Sequence, residues 1–196
     1  MYKEDVIRYF DAQAPTWDER MVRRDRVIER IFDGAGVREG MKVLDVGCGT
    51  GVLFDAYLGR NVASVTGVDI SPEMARRASE KYEKNPEIRV ICADVEELEK
   101  NHAYDLCMVY NAFPHFEDPG RLIRSLAAMC RPGGCVCIAH GFSREKINQR
   151  HTGHACSVSR GLMEADELAE LMSEVMDVTV KISDEEMYQV CARVRE

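Results

Sequence analysis

The residues Gly47, Gly49 and Gly51 form a glycine turn preceded by Asp45, within Val43-Leu44-Asp45-Val46-Gly47-Cys48-Gly49-Thr50-Gly51. This segment reads as a buried strand, a turn and the start of a helix. Glycines let the main chain take positive φ and approach a ligand closely, which suits a nucleotide at the carboxyl edge of a sheet. A dinucleotide fingerprint needs its third glycine at position 52, which is Val52. The spacing is instead G-x-G-x-G, and Asp45 suits a cationic ligand group better than a pyrophosphate. Asp69, about twenty residues further on, ends a second β-branched run and can accept both hydroxyls of a ribose. Asp94 ends a third run, where a carboxylate can accept an exocyclic amine. His115, in Asn111-Ala112-Phe113-Pro114-His115-Phe116, is a candidate general base; packing is its other reading. His151, His154 and Cys156, with His140, can bind a soft or borderline metal. A histidine-bearing acceptor pocket and a merely polar loop are the alternatives there.

The elements that must hold these groups follow from the same pattern. Short apolar runs alternate with helical stretches, the trace of a parallel sheet covered by helices, so the fold class is α/β. Strands are expected at 42–46, 64–68, 88–92, 105–109 and 134–139, with a terminal hairpin at about 177–182 and 187–194. Ser71 before Pro72 and Asp118 before Pro119 read as helix N-caps. The first of these helices carries Met74, Ala78 and Tyr82 on one face; the second carries Leu122, Leu126 and Met129, with Pro132, Gly133 and Gly134 expected to end it. A helix from about 164 to 174 turns Leu168, Leu171, Met172 and Val175 inward. Ahead of residue 42, Val6, Tyr9 and Phe10 belong to one helical segment and Val27, Ile28, Ile31 and Phe32 to another, with a turn at Ala14 and Pro15. The expected organisation is a single domain over 1–196: an N-terminal helical lid at 1–40, a cofactor-binding core at 41–140, an acceptor lid at 141–161, and a C-terminal helix with hairpin at 162–196.

At 196 residues the chain suffices for one hydrophobic core, and its net charge of −8 argues against a nucleic-acid or anionic-lipid partner. No apolar run is long enough to span a membrane, and Met1 to Asp5 lacks the apolar stretch of a signal peptide, so a cytoplasmic location is expected. Of the eight cysteines, Cys92, Cys107, Cys130, Cys135, Cys137 and Cys191 lie in apolar runs and read as reduced core thiols. The stretch 141–161 sets Arg144, Lys146, Arg150 and Arg160 against Glu145. It is either a solvated lid or a set of cations recruiting an anionic acceptor.

With these residues in view, the chain resembles the class I S-adenosylmethionine-dependent methyltransferases, small-molecule type, from about Tyr9 to Val194. Val43 to Gly51 looks like the family's first motif, Val68-Asp69-Ile70 its second acidic strand end, and Ala93-Asp94-Val95 its adenine-side motif. Tyr104-Asp105 through Asn111 resembles the fourth, and Arg131-Pro132-Gly133-Gly134 the turn before the fifth strand. Phe10-Asp11, Ala14 and Trp17-Asp18 look like the F-D-x-x-A-x-x-W-D lid. The resemblance implies a Rossmann-like, seven-stranded, mostly parallel sheet in the order 3-2-1-4-5-7-6 with helices on both faces. It implies S-adenosylmethionine as cofactor and S-adenosylhomocysteine as product. Gly47, Cys48 and Gly49 would line the methionine portion, with Asp45 near its amino group and the Asn111 carbonyl approaching it. Asp69 would hold the ribose; Ile70 and Met74 would pack on adenine; Asp94 and the Val95 backbone would meet its amine. The expected reaction is methyl transfer to a small-molecule acceptor, an anionic one if the cations of 141–161 recruit it. Acceptor-side candidates are Tyr9, Trp17, His140, Arg144, Arg150, His151 and His154, in a monomer or homodimer. No metal is expected, unless His140, His151, His154 and Cys156 bind one. The alternative is a nonenzymatic S-adenosylmethionine- or metal-binding module that has lost the transfer chemistry.

Overall fold

The computed structural model describes residues 2–150 and 158–196. The strands are β1 (Lys42–Val46), β2 (Ser64–Asp69), β3 (Ile88–Cys92), β4 (Tyr104–Tyr110), β5 (Cys130–His140), β6 (Met176–Ser183) and β7 (Tyr188–Val194). They form one sheet in the order β3-β2-β1-β4-β5-β7-β6. The first five strands are mutually parallel, while β7 enters between β5 and β6 antiparallel to both. The connection through residues 184–187 is too short for a parallel crossover, so the last two strands can pair only as a hairpin.

Helices α1 (Lys3–Gln13), α2 (Trp17–Arg20), α3 (Asp25–Ala35), α4 (Phe54–Gly59), α5 (Pro72–Lys81), α6 (Pro119–Met129), α7 (Arg144–Arg150) and α8 (Ala165–Ser173) surround the sheet. Alternation along the strands builds two cores. Val43, Leu106 and Met108 face Ile28, Ile31 and Phe32 of α3 and Tyr57 of α4. Leu44, Val46, Cys107 and Val109 face Leu122 and Leu126 of α6 and Leu168 and Met172 of α8. The reversal of direction at every residue of a strand is what lets one continuously apolar run feed both layers.

The expected caps are present. Ser71 Oγ accepts from Met74 N at 3.2 Å, and Asp118 Oδ1 accepts from Arg121 N at 2.9 Å. The end of α6 differs from the expectation: it stops at Met129, and β5 begins directly at Cys130, which pairs with Tyr104. Pro132, Gly133 and Gly134 do not end the helix. They lie within β5, where the register shifts between Tyr104 and Leu106 and Gly133 takes φ +72°; the extra residues are absorbed as a bulge.

Cys92 is also corrected. It is exposed, because β3 is an edge strand and buries only part of its length. Cys107, Cys130, Cys135, Cys137 and Cys191 are free and buried. The hydrogen bond with Cys191 and burial hold the Cys135 thiol well above the ordinary thiol range, so it stays protonated and inert. Leu171 and Val175 are only partly buried, whereas Tyr188 is fully buried in the core.

Candidate active site

The carboxyl ends of β1 to β4 open into one cavity of about 510 Å³, within the range that holds a small molecule. Its floor is the glycine loop. Gly47 and Gly49 take φ +67° and +56°, and the N–H groups of Gly47 and Cys48 both donate to Val68 O, at 2.8 and 3.1 Å. A Cβ at Gly47 would stand 2.6 Å from Ala112 Cβ, and one at Gly49 would meet little but Trp17 Nε1 at 3.9 Å. Side chains in either place would fill the cradle, and the positive φ would strain them.

Asp69 ties the loop to the next element. Its carboxylate accepts from Gly49 N at 2.8 Å and from Ser71 N at 2.9 Å, so it bridges the glycine loop and the start of α5. Burial raises its pKa while those two N–H donors lower it, and the net direction is upward. Ile70 and Met74 follow on the same wall, with Ala93, Asp94 and Val95 beyond them. Asp94 accepts from Glu96 N at 2.9 Å and pairs with Lys3 of α1. At the end of β4, Asn111 takes φ +54°. Its N–H donates to Ala139 O at 2.9 Å, and its Oδ1 accepts from Gly141 N at 3.0 Å, which locks that left-handed turn.

Asp45 stands apart from the other expected cofactor residues. It is 1% exposed and lies behind the cavity wall, with Oδ2 buried and without a hydrogen-bond partner among the described residues. Burial, assisted by the charge of Asp69, raises its pKa to about 8. The strand alternation turns it away from the cavity and toward the α3/α4 face. Its folded pKa exceeds its unfolded one, so its contribution to stability is complete below about pH 4 and lost as pH rises toward 8, on the order of 4 kcal/mol by neutrality. Asp45→Asn should therefore flatten the loss of stability between pH 5 and pH 8 in urea unfolding. An unchanged pH dependence in that variant would show that Asp45 ionises normally.

The roof is the N-terminal segment. Lys3, Val6, Phe10, Gln13 and Trp17 recur at helical spacing, and all line the cavity. Two aspartates of the lid motif fasten this roof. Asp11 Oδ1 accepts from Ser71 Oγ at 2.5 Å and from Glu73 N at 3.1 Å, while Asp18 accepts from Thr50 Oγ1 and pairs with Lys81 at 3.2 Å. Both acids belong to the F-D-x-x-A-x-x-W-D pattern, whose spacing carries no sign of partners 32 to 62 residues away. The helical stripe was the available signal for the roof, but nothing local marked Tyr110 or Phe142, which also line the cavity.

His115 lies in a short 3₁₀ turn, Phe113–His115. Its Nδ1 is 2.7 Å from Val158 O, and its ring meets Phe10 edge-on at 4.9 Å. A carbonyl partner requires the proton on Nδ1, which places the lone pair of the neutral ring on Nε2. Arg160 N donates to Pro114 O at 2.8 Å, so residues 158–160 brace this turn.

The other acceptor-side expectations divide. Tyr9 and Trp17 line the cavity. Arg144 does not: its Nε donates to Leu162 O at 2.9 Å and it pairs with Glu164 at 2.8 Å, which makes it an anchor for the following segment. His140 does not line the cavity either; it is 1% exposed at the end of β5, with its ring 6.0 Å from that of Tyr188. His151, His154 and Cys156 lie outside the described residues, as does the side chain of Arg150.

This sheet order, with a glycine loop after its first strand and acids ending the next two, defines the class I methyltransferase fold. Residues 43–134 match the methyltransferase domain family. The chain is 39% identical over 141 residues to the ubiquinone biosynthesis O-methyltransferase of Coxiella burnetii, covering 67% of this chain and 59% of that protein. It is 28% identical over 140 residues to the malonyl-[acyl-carrier protein] O-methyltransferase of Acetivibrio thermocellus, covering 70% of this chain and 49% of that one. The chain thus spans about half to three fifths of these relatives. Its fold is similar to that of the N-methyltransferase NodS of Bradyrhizobium japonicum, solved with S-adenosyl-L-homocysteine, with a TM-score of 0.75 at 14% identity over 98% of this chain and 100% of that one. In fold, the chain is similar to the class I S-adenosylmethionine-dependent methyltransferases. No helix among the described residues is long and apolar enough to cross a membrane.

Proposed function

We propose that the chain transfers a methyl group from S-adenosylmethionine to a small-molecule acceptor, and that this acceptor is anionic. The observation that carries the reading is the convergence of the glycine loop, Asp69, Asp94 and Asn111 on one cavity roofed by α1 and α2. The cradle at Gly47 and Gly49 fits the methionine portion of the cofactor, and Asp69, at the cavity wall, fits a ribose diol. When bound, the cofactor supplies an electrophilic methyl on a sulfonium.

In this reading Asp69 holds the ribose, Ile70 and Met74 cover the adenine, and Asp94 with the Val95 backbone receives its amine. The Asn111 carbonyl faces the ammonium, and Asp45, turned toward the α3/α4 face, takes no part in holding the ligand. The roof formed by Phe10 and Trp17 excludes water, which strengthens alignment of donor and nucleophile. His115 takes the acceptor's proton at Nε2, while Val158 O holds its Nδ1–H and fixes the tautomer. The chain works as a single domain, as a monomer or homodimer in the cytoplasm, without nucleic acid.

Isothermal titration with S-adenosylmethionine and S-adenosylhomocysteine, with NAD as control, tests the reading. Micromolar binding of the first two and none of NAD is expected. Failure of both adenosyl ligands to bind would overturn it.

A further inference from the structure

The strand ends account for one end of the cavity; the remaining wall comes from the lid, the 113–117 turn, Phe142 and Ile147 of α7. That second end is built from rings and apolar chains. Phe10 lies edge-on to both Trp17, at 5.8 Å, and His115, and Phe116, Met21 and Val22 continue the wall. Such a surface suits a flat, largely apolar body, because aromatic side chains bury much area at low entropic cost.

Among the described residues two cations, Lys3 and Arg20, line the cavity, and they are not equivalent. Lys3 is neutralised by Asp94 and Glu96. Arg20 is held only by neutral groups. Its Nη2 donates to Gln13 Oε1 at 3.0 Å and to Thr16 Oγ1, and its Nε donates to Thr16 O at 3.5 Å. Among the described residues, no carboxylate lies within ion-pair distance of it and Nη1 has no partner. The guanidinium is therefore oriented at the rim with its full charge and unused donors. Glu117, the acid of the opposing 113–117 turn, also lines this end and would repel an anion there. The charge pattern directs an anionic group to the lid.

We infer that the acceptor is a planar aromatic carboxylate, with its ring against Trp17 and Phe10 and its carboxylate on Arg20. This deepens the methyltransferase reading and rests on it. Of the cations of 141–161, Arg144 is committed to Glu164, and Lys146 and Arg160 do not line the cavity. Arg20 takes the role expected of Arg144, as a specificity-determining residue with no part in the chemistry; the side chain of Arg150 lies outside the described residues.

Trp17 is the one tryptophan of the chain, so its fluorescence reports on this end of the cavity directly. The protein, saturated with S-adenosylhomocysteine, is titrated with 4-hydroxybenzoate and with its neutral isostere 4-hydroxybenzamide. The carboxylate should bind about tenfold more tightly, the scale of a charge-assisted contact at a half-wet rim. Arg20→Gln should abolish that preference and Arg20→Lys should keep part of it, with calorimetric S-adenosylhomocysteine affinity unchanged in both. Equal binding of the two ligands to the wild-type protein, a preference that survives in Arg20→Gln, or no Trp17 response to either at millimolar concentration would overturn the inference. Those outcomes leave the methyltransferase reading intact; only loss of S-adenosylhomocysteine binding by the wild-type protein would remove both.

Discussion

Replacing His115 by alanine is expected to slow methyl transfer to a hydroxyl acceptor by roughly 10²–10⁴-fold, the usual contribution of a positioned base. Affinity for S-adenosylhomocysteine should stay within a factor of about three, because His115 touches the lid and residue 158 rather than the glycine loop or the acids. The fall should appear in kcat, since the ring acts on a proton that moves only in the transition state. His115→Gln can keep the bond to Val158 O through its amide N–H, yet it has no basic nitrogen. It should be as slow as the alanine variant if the ring is the base, and nearly normal if the ring only braces Val158. Equal loss of cofactor binding and turnover in the alanine variant would assign His115 to structure instead.

The second large effect is expected at Asp69. Its carboxylate would meet the ribose, and it already holds Gly49 N–H and Ser71 N–H in place. Asp69→Ala removes the ribose partner and strands two backbone donors in a site where the residue is 9% exposed. Each stranded donor costs about 1–3 kcal/mol. Cofactor affinity should fall by roughly a hundredfold or more, and the glycine loop should lose protection in hydrogen exchange. Asp69→Asn has one acceptor oxygen for two donors, so it should recover only part of the loss. A folded alanine variant with unchanged affinity would remove Asp69 from the site.

Much of the molecule was legible before any coordinates, because local rules dominate where they are strong. The inner parallel strands β1, β2, β4 and β5 are largely buried and read as apolar runs, so their positions followed from hydropathy to within a few residues. Ser71-Pro72 and Asp118-Pro119 carried their helix starts in side-chain chemistry that acts over three residues. By contrast, the end of α6 was misplaced. Pro132 and the two glycines are strong local breakers, yet pairing of Cys130 with Tyr104 began the strand earlier and turned the breakers into a bulge. The edge position of β3, which exposes Cys92, likewise depends on the order of strands rather than on any residue within it.

The candidate site divides along the same line. The glycine loop, Asp69, Asp94 and the turn carrying Asn111 and His115 were determined by sequence, because each sits at a strand end and strand ends of a parallel sheet open on one side. The roof, the burial of Asp45 with its raised pKa, the commitment of Arg144 to Glu164 and the exposure of Arg20 to the cavity were decided only by tertiary structure. A side chain's charge state and free donors depend on what packs against it, and those partners lie tens of residues away in the chain: Asp69 near Asp45, Ser71 beneath Asp11, Thr50 beside Asp18. Local spacing encodes which backbone groups converge; long-range packing decides which of the side chains there remain available for chemistry.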